Sequence, residues 1–314
     1  MAETADYDPG PWSGHDFKSA RGVYDAHAGR SYDDAKKSGK TVADLVVPNL
    51  TTNSPSPLVV ISDVTGSMGE WPAVMFSKLP YLDKEGQEYL GPEMEICFGA
   101  VGDAHTDAYP LQVRPFAKGL DLESRLKELV IEGEGGGQIM ETYELAALYF
   151  ARKVSLPKAV NPILIMIGDE APYDWVEASH AKKYAGVEMQ QKIATAEVFE
   201  ELKAKFVVYL IRKPYAGHDE HINRVWASLL GQDHIVDLPQ ADRVVDVIFG
   251  ILAKETGKIP YFRAEIEGRQ TAAQVKTVYK SLETVHANVT KGHSGKSVML
   301  RASGGMKSKS VLDE

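Results

Sequence analysis

Between about residues 57 and 255, short apolar runs alternate with longer stretches of helical periodicity. Strands are expected over 57–63, 95–103, 111–116, 162–169, 206–212 and 234–238, and helices over 71–89, 120–131, 141–154, 186–205, 222–230 and 241–256. Several strand segments, such as Leu58-Val59-Val60-Ile61 and Ile163-Leu164-Ile165-Met166-Ile167, are apolar without a break. A strand wetted on one face alternates; an unbroken apolar strand is covered on both. Such strands separated by helices imply an α/β fold, with a doubly wound, mostly parallel sheet and helices on both faces.

The flanks read differently. Residues 1–54 are rich in Gly, Ser, Asp and Pro, with linker-like stretches over 7–13 and 48–57, and are expected to form an extended, partly ordered arm. The domain is expected over 55–256 and a C-terminal extension over 257–314. Within the extension, Lys258 to Glu267 reads as one more strand, and 271–288 as an amphipathic helix with Ala272, Val275, Val278, Tyr279 and Leu282 on one face. The last stretch, 290–314, is rich in Lys, Ser and Gly and reads as a mobile basic tail, not a second domain.

Three expected parallel strands end in an aspartate: Asp63, Asp103 and Asp169. In open α/β sheets ligands bind beyond the carboxyl ends of the strands, where strand order reverses. One such aspartate is readily explained as a helix cap. Three carboxylates meeting there repel unless a positive charge lies between them. After the first strand, Asp63-Val64-Thr65-Gly66-Ser67-Met68 places a carboxylate and two hydroxyls at alternate positions of one tight loop. These hard oxygen donors suit Mg²⁺ or Mn²⁺, and they leave the ion able to accept a further acidic group. Gly133-Glu134-Gly135-Gly136-Gly137-Gln138 then leads to Glu141 and Thr142, expected in the first turn of a helix near the metal. The loop is not a nucleotide phosphate loop, because no Gly-Lys-Ser/Thr follows.

Charge narrows the partner. The formal net charge is -9, which disfavours nucleic acid, whose binding rests on excess Lys and Arg. No run of about 18 apolar residues marks a membrane span, and the acidic N-terminus has no apolar signal-peptide core. With the single Cys97, these features suggest a cytoplasmic protein.

The Asp63-Val64-Thr65-Gly66-Ser67 loop resembles the metal-ion-dependent adhesion site of von Willebrand factor A domains, whose signature is Asp-x-Ser-x-Ser, with Thr65 replacing the first serine. Met166-Ile167-Gly168-Asp169-Glu170 is similar to the family's second aspartate loop. The resemblance covers about 57–255 and is nearest to intracellular bacterial or phage members. It implies a Rossmann-like sheet with Mg²⁺ or Mn²⁺ at its carboxyl edge, held by Asp63, Thr65, Ser67 and Asp169. It also implies protein binding in which a partner's Asp or Glu completes the coordination. The family's usual loop threonine is missing; Thr142, or Glu141 directly or through water, takes its place. Asp103 is assigned an indirect role. Many intracellular members work beside an AAA+ ATPase, which makes such an ATPase or a neighbouring subunit the implied partner.

Other motifs carry less. His218-Asp219-Glu220-His221 reads as a loop and helix cap rather than a zinc site. Gly292-His293-Ser294-Gly295-Lys296-Ser297 lacks the first glycine of a phosphate loop. A non-enzymatic, metal-dependent interaction module is therefore the expected function. The alternatives are a self-assembling structural subunit and a metal-dependent hydrolase with His105 or Glu170 as base.

Overall fold

The structure, a computed structural model, describes residues 39–69, 71–72, 79–132, 139–238 and 240–285. The N-terminal arm up to residue 38, residues 73–78 of the expected first helix, the glycine run 133–138 and the tail from 286 lie outside these residues.

Six strands form the central sheet: β1 (Pro57–Asp63), β2 (Glu95–Val101), β3 (Leu111–Val113), β4 (Ile163–Gly168), β5 (Val207–Arg212) and β6 (Ile235–Asp237). Their order is β6-β5-β4-β1-β2-β3. All neighbours run parallel except β3, which pairs antiparallel with β2 at the edge. The chain moves outward from β1 to β3 on one side, then returns to build β4 to β6 on the other. Strand order thus reverses between β1 and β4, which are in register from Leu58↔Ile163 to Ser62↔Ile167. The carboxyl ends of these strands flank the crevice that such a reversal opens.

Among the described residues, the helices of seven or more residues are α1 (Leu82–Leu90), α2 (Asp121–Lys127), α3 (Tyr143–Arg152), α4 (Ala178–Ala185), α5 (Thr195–Lys203), α6 (Asp219–Leu230), α7 (Val244–Thr256), α8 (Ile259–Arg269) and α9 (Ala272–Ser281). They cover both faces of the sheet. Alternate strand residues separate into two cores. Leu58, Val60, Ile165 and Ile211 pack with Leu82, Tyr89, Val247 and Phe249. Val59, Ile61, Met166 and Leu210 pack with Leu148, Phe199 and Trp226 on the opposite face. Every residue of β1 is buried. Each of its aliphatic side chains contributes roughly 1.5–3 kcal/mol on burial, which anchors the strand that ends at Asp63.

Several expectations are corrected. The expected strand over 258–267 is helical: all of it but Lys258, the N-cap, lies within α8. Pro260 sits in its first turn, where a missing N–H costs nothing, and its buried residues Phe262 and Ile266 are four apart, as one helix face requires. The expected helix over 186–205 begins only at Thr195. Gly186, at φ +63°, instead ends α4 in the left-handed conformation that glycine adopts without strain. Residues 171–172 and 193–194 form short strands, and Glu141 lies in the strand Met140–Glu141 rather than in a helical turn. The linker-like stretch 48–57 is fastened down, because Leu50–Thr51 pairs in parallel with Val154–Ser155. The extension is part of the main body: Phe262, Ile266, Val278 and Leu282 join the core that contains Val60 and Ile165.

Candidate metal centre

Beyond β1 the chain turns sharply. Asp63 is fully buried, and its Oδ1 accepts the Thr65 backbone N–H at 2.8 Å and the Thr65 hydroxyl at 2.6 Å. This Asx-type turn is stabilised by its own side chain. Residues 66–68 follow as a single 3₁₀ turn. Val64 and Met68 point into the core, which leaves positions 63, 65 and 67 for the crevice. The hydroxyls of Thr65 and Ser67 are 3.2 Å apart, and Ser67 donates to Asp169 Oδ1 at 2.9 Å. Asp63, Thr65, Ser67 and Asp169 thus form one hydrogen-bonded chain across the seam between β1 and β4.

The second oxygen of Asp63 accepts the Tyr143 hydroxyl at 2.5 Å. Tyr143 opens α3, is fully buried and packs edge-on against Trp226, with centroids 5.2 Å apart. Trp226 in turn donates from Nε1 to the Glu170 carbonyl at 2.8 Å. Sequence reasoning passed over Tyr143; the available signal was an aromatic directly after Thr142 combined with the glycine at 168.

A lysine also enters the site. Lys213 Nζ lies 3.0 Å from Asp169 Oδ2 and donates to the Ser67 carbonyl. It follows β5, which neighbours β4 in the sheet, but no motif in the sequence marks it.

The acidic groups are crowded. Pairing of residues 140–141 with 171–172 sets Glu141 opposite Pro172, two residues beyond Glu170. Both glutamates are buried, and Glu141 Oε2 and Glu170 Oε2 have no hydrogen-bond partner. Burial, then the charge of Asp63, pushes Glu141 up to about 11 and Glu170 up to about 8. Burial, then Asp169, raises Asp63 to about 7. Each shift has the direction expected for carboxylates that lack sufficient counter-charge.

Thr142 and Asp103 belong to an adjoining network. Thr142 stands just before α3, at its N-cap position rather than in its first turn, and its hydroxyl makes no capping bond but accepts the Ala104 N–H at 2.6 Å. Asp103 accepts from the His105 N–H and the Tyr173 hydroxyl, each at 3.0 Å, while its own N–H donates to Asp107. The Thr142–Ala104 bond ties the loop after β2 to the start of α3. Asp219, from the His-Asp-Glu-His segment, is bound to Arg212 and to the Tyr215 N–H at the start of α6.

Among the described residues, no group of three or more Asp, Glu, His or Cys side chains is placed to hold a metal by itself. A cation here would depend on Asp63 and Asp169 together with the hydroxyls of Thr65 and Ser67. Those oxygens are of the hard type that Mg²⁺ and Mn²⁺ prefer. The orphaned oxygens of Glu141 and Glu170 also fit a nearby positive charge, since buried polar groups are rarely left unpaired.

No helix among the described residues is long and apolar enough to cross a membrane. The sequence matches no protein-family model, and no curated protein matches it. Among solved structures, a pilus adhesin, SpaC from Lactobacillus rhamnosus GG in an open conformation, is similar with a TM-score of 0.47 at 12% sequence identity, over 74% of this chain and 31% of the adhesin. A second form of that adhesin gives a TM-score of 0.47 at 12% identity, over 74% of this chain and 32% of the adhesin. The chain therefore spans about a third of the length of these adhesin chains.

Proposed function

We propose that this chain is a metal-dependent protein-interaction module of the von Willebrand factor A type. The supporting observation is the hydrogen-bonded chain Asp63–Thr65–Ser67–Asp169 at the point where strand order reverses. Asp63, Thr65, Ser67 and Asp169 would hold Mg²⁺ or Mn²⁺, with Glu141 and Thr142 beside them. When bound, the cation supplies an open coordination position for a carboxylate of the partner. The chain's own residues orient the donors: Tyr143 fixes the Asp63 carboxyl, and the Asp63 turn fixes Thr65. The partner presents an Asp or Glu, and an AAA+ ATPase or a neighbouring subunit fits that role.

The test is a Mn²⁺ titration followed by electron paramagnetic resonance, on the wild type and on Asp63→Ala. One saturable site lost in the variant is expected, and a Glu-containing peptide should perturb the spectrum of the bound ion. Equal Mn²⁺ binding by both proteins would sink the proposal.

A further inference from the structure

Lys213 lies at the same seam, and its placement goes beyond simple charge balance. Its backbone N–H donates to the Gly168 carbonyl at 2.9 Å, which extends the β4–β5 ladder by one residue and sets Lys213 beside Asp169. Alternation along β5 then sends successive side chains to opposite faces. Arg212 turns to Asp219 and Asp237, and Lys213 turns to the crevice. The ammonium takes Asp169 Oδ2 and the Ser67 carbonyl, while Asp169 Oδ1 is already taken by the Ser67 hydroxyl. Both oxygens of Asp169 are thus occupied, one of them by a positive charge. Asp169 is wholly buried, but the Lys213 side chain is 24% exposed. The lysine side chain thus reaches solvent where the carboxylate does not, and its ammonium rides on a flexible four-carbon stem.

We propose that Lys213 is a tethered counter-cation that competes with the divalent ion for Asp169 and Ser67. The proposal rests on the metal-centre reading above and deepens it. Without a divalent ion, the ammonium neutralises Asp169 and holds the Ser67 loop. A divalent ion placed among the same oxygens repels the ammonium, and the stem carries it outward to water. The lysine thereby sets how much free cation the site needs. The swung-out ammonium stands at the rim, where an incoming carboxylate would meet it.

Mn²⁺ titration by electron paramagnetic resonance on the wild type, Lys213→Met and Lys213→Arg tests this, with circular dichroism confirming that each variant is folded. Lys213→Met is expected to bind Mn²⁺ at least tenfold more tightly than the wild type, and Lys213→Arg no more tightly. A site seen only in Lys213→Met would also support the competition. Independently of any substitution, acylation of the wild-type protein read by mass spectrometry should label Lys213 several-fold more in Mn²⁺ than in chelator, with surface Lys118 as the unchanged reference. Unchanged or weaker Mn²⁺ affinity in Lys213→Met, or unchanged Lys213 labelling in a protein that binds Mn²⁺, would overturn the competition and leave the metal centre standing. No saturable site in either the wild type or Lys213→Met would remove both.

Discussion

Gly168 and Tyr143 share one small space: a Cβ built on residue 168 would lie 1.8 Å from the Tyr143 hydroxyl oxygen. The phenol reaches Asp63 because β4 ends in a residue without a side chain. Gly168→Ala should displace the ring and destabilise the protein by about 1–3 kcal/mol through overpacking. Tyr143→Phe should cost about 1–3 kcal/mol, since Asp63 Oδ2 loses its buried donor. Because the two groups are in contact, the costs should not add. Urea denaturation of both variants and the double variant measures the coupling; strict additivity would show that the close approach does not govern the phenol.

The raised carboxyls set a pH dependence in metal-free protein. A carboxyl with a folded pKa above its unfolded value binds its proton more tightly in the native state. Its stabilising contribution is complete below the unfolded pKa and is lost as pH rises through the folded one. Between pH 6.5 and 8.5 the affected carboxyls include Asp63 and Asp107 at about 7, Glu170 at about 8, Glu141 at about 11 and Glu144, which burial also raises well above its ordinary value. Glu141 stays protonated in the native state throughout this window, and so contributes a loss of up to about 1.4 kcal/mol per pH unit. Glu141→Gln keeps the shape and removes the titrating carboxyl. Denaturation in chelator at the two pH values should therefore show a shallower decline in Glu141→Gln than in the wild type. An equal slope would contradict the assignment.

Cation should oppose this loss. At pH 8, adding Mg²⁺ stabilises a protein that binds it only when folded. The rise in melting temperature should grow with Mg²⁺ concentration in the wild type and vanish in Asp63→Ala. A rise of the same size in the variant would assign the effect to some other site.

The C-terminal helices should prove inseparable from the sheet. Leu282 is buried, and a Cβ at Gly250 of α7 would fall 2.1 Å from its Cδ1. Leu282→Ala should cost about 2–5 kcal/mol. A chain stopped after Gly257 would uncover Phe262's and Ile266's partners in the core and should fail to give a cooperative thermal transition. Wild-type stability in either case would mean that the extension is an independent unit.

Cys97 lies in β2, fully buried, and burial holds its thiol well above the usual range. A thiolate-selective reagent at pH 8 should therefore react only as the protein opens. Its rate should rise in Leu282→Ala, where opening is more frequent, which gives a second readout of the same destabilisation.

The legible parts of this fold are those whose signal is local. Leu58–Ile61 of β1 and Ile163–Ile167 of β4 are unbroken apolar runs, and Asp63, Thr65 and Ser67 lie within five residues of one another, so both are visible in the pattern alone. Asp169 is legible because it directly follows the apolar run of β4, although the strand itself stops at Gly168 and the one before Asp103 stops at Val101. Tyr143 resembled an ordinary helix starter, and only its contact with Gly168 distinguishes it. Lys213 is 44 residues from Asp169, and a lysine after a strand is ordinary unless the strand order is known. The misread segments have equally physical causes. Ile259, Tyr261 and Phe262 are good strand formers, and they outweighed the four-residue spacing of Phe262 and Ile266. Gly186 precedes a helical pattern in the sequence, yet it ends the helix before it. The fastened stretch around Leu50 has too few apolar residues to announce a strand.

The reversal of strand order between β1 and β4 has a mechanical corollary. Ser67 and Asp169 are separated by 102 residues of chain, yet they face each other across the seam where the two halves of the sheet meet. Anything that grips both residues rivets one half to the other. By thermodynamic reciprocity, any load that shears the halves apart must loosen that grip by the same free energy. On the proposed function, tension on a partner held in the crevice would be felt along the spine of the sheet, and tension on the sheet would be felt by the partner.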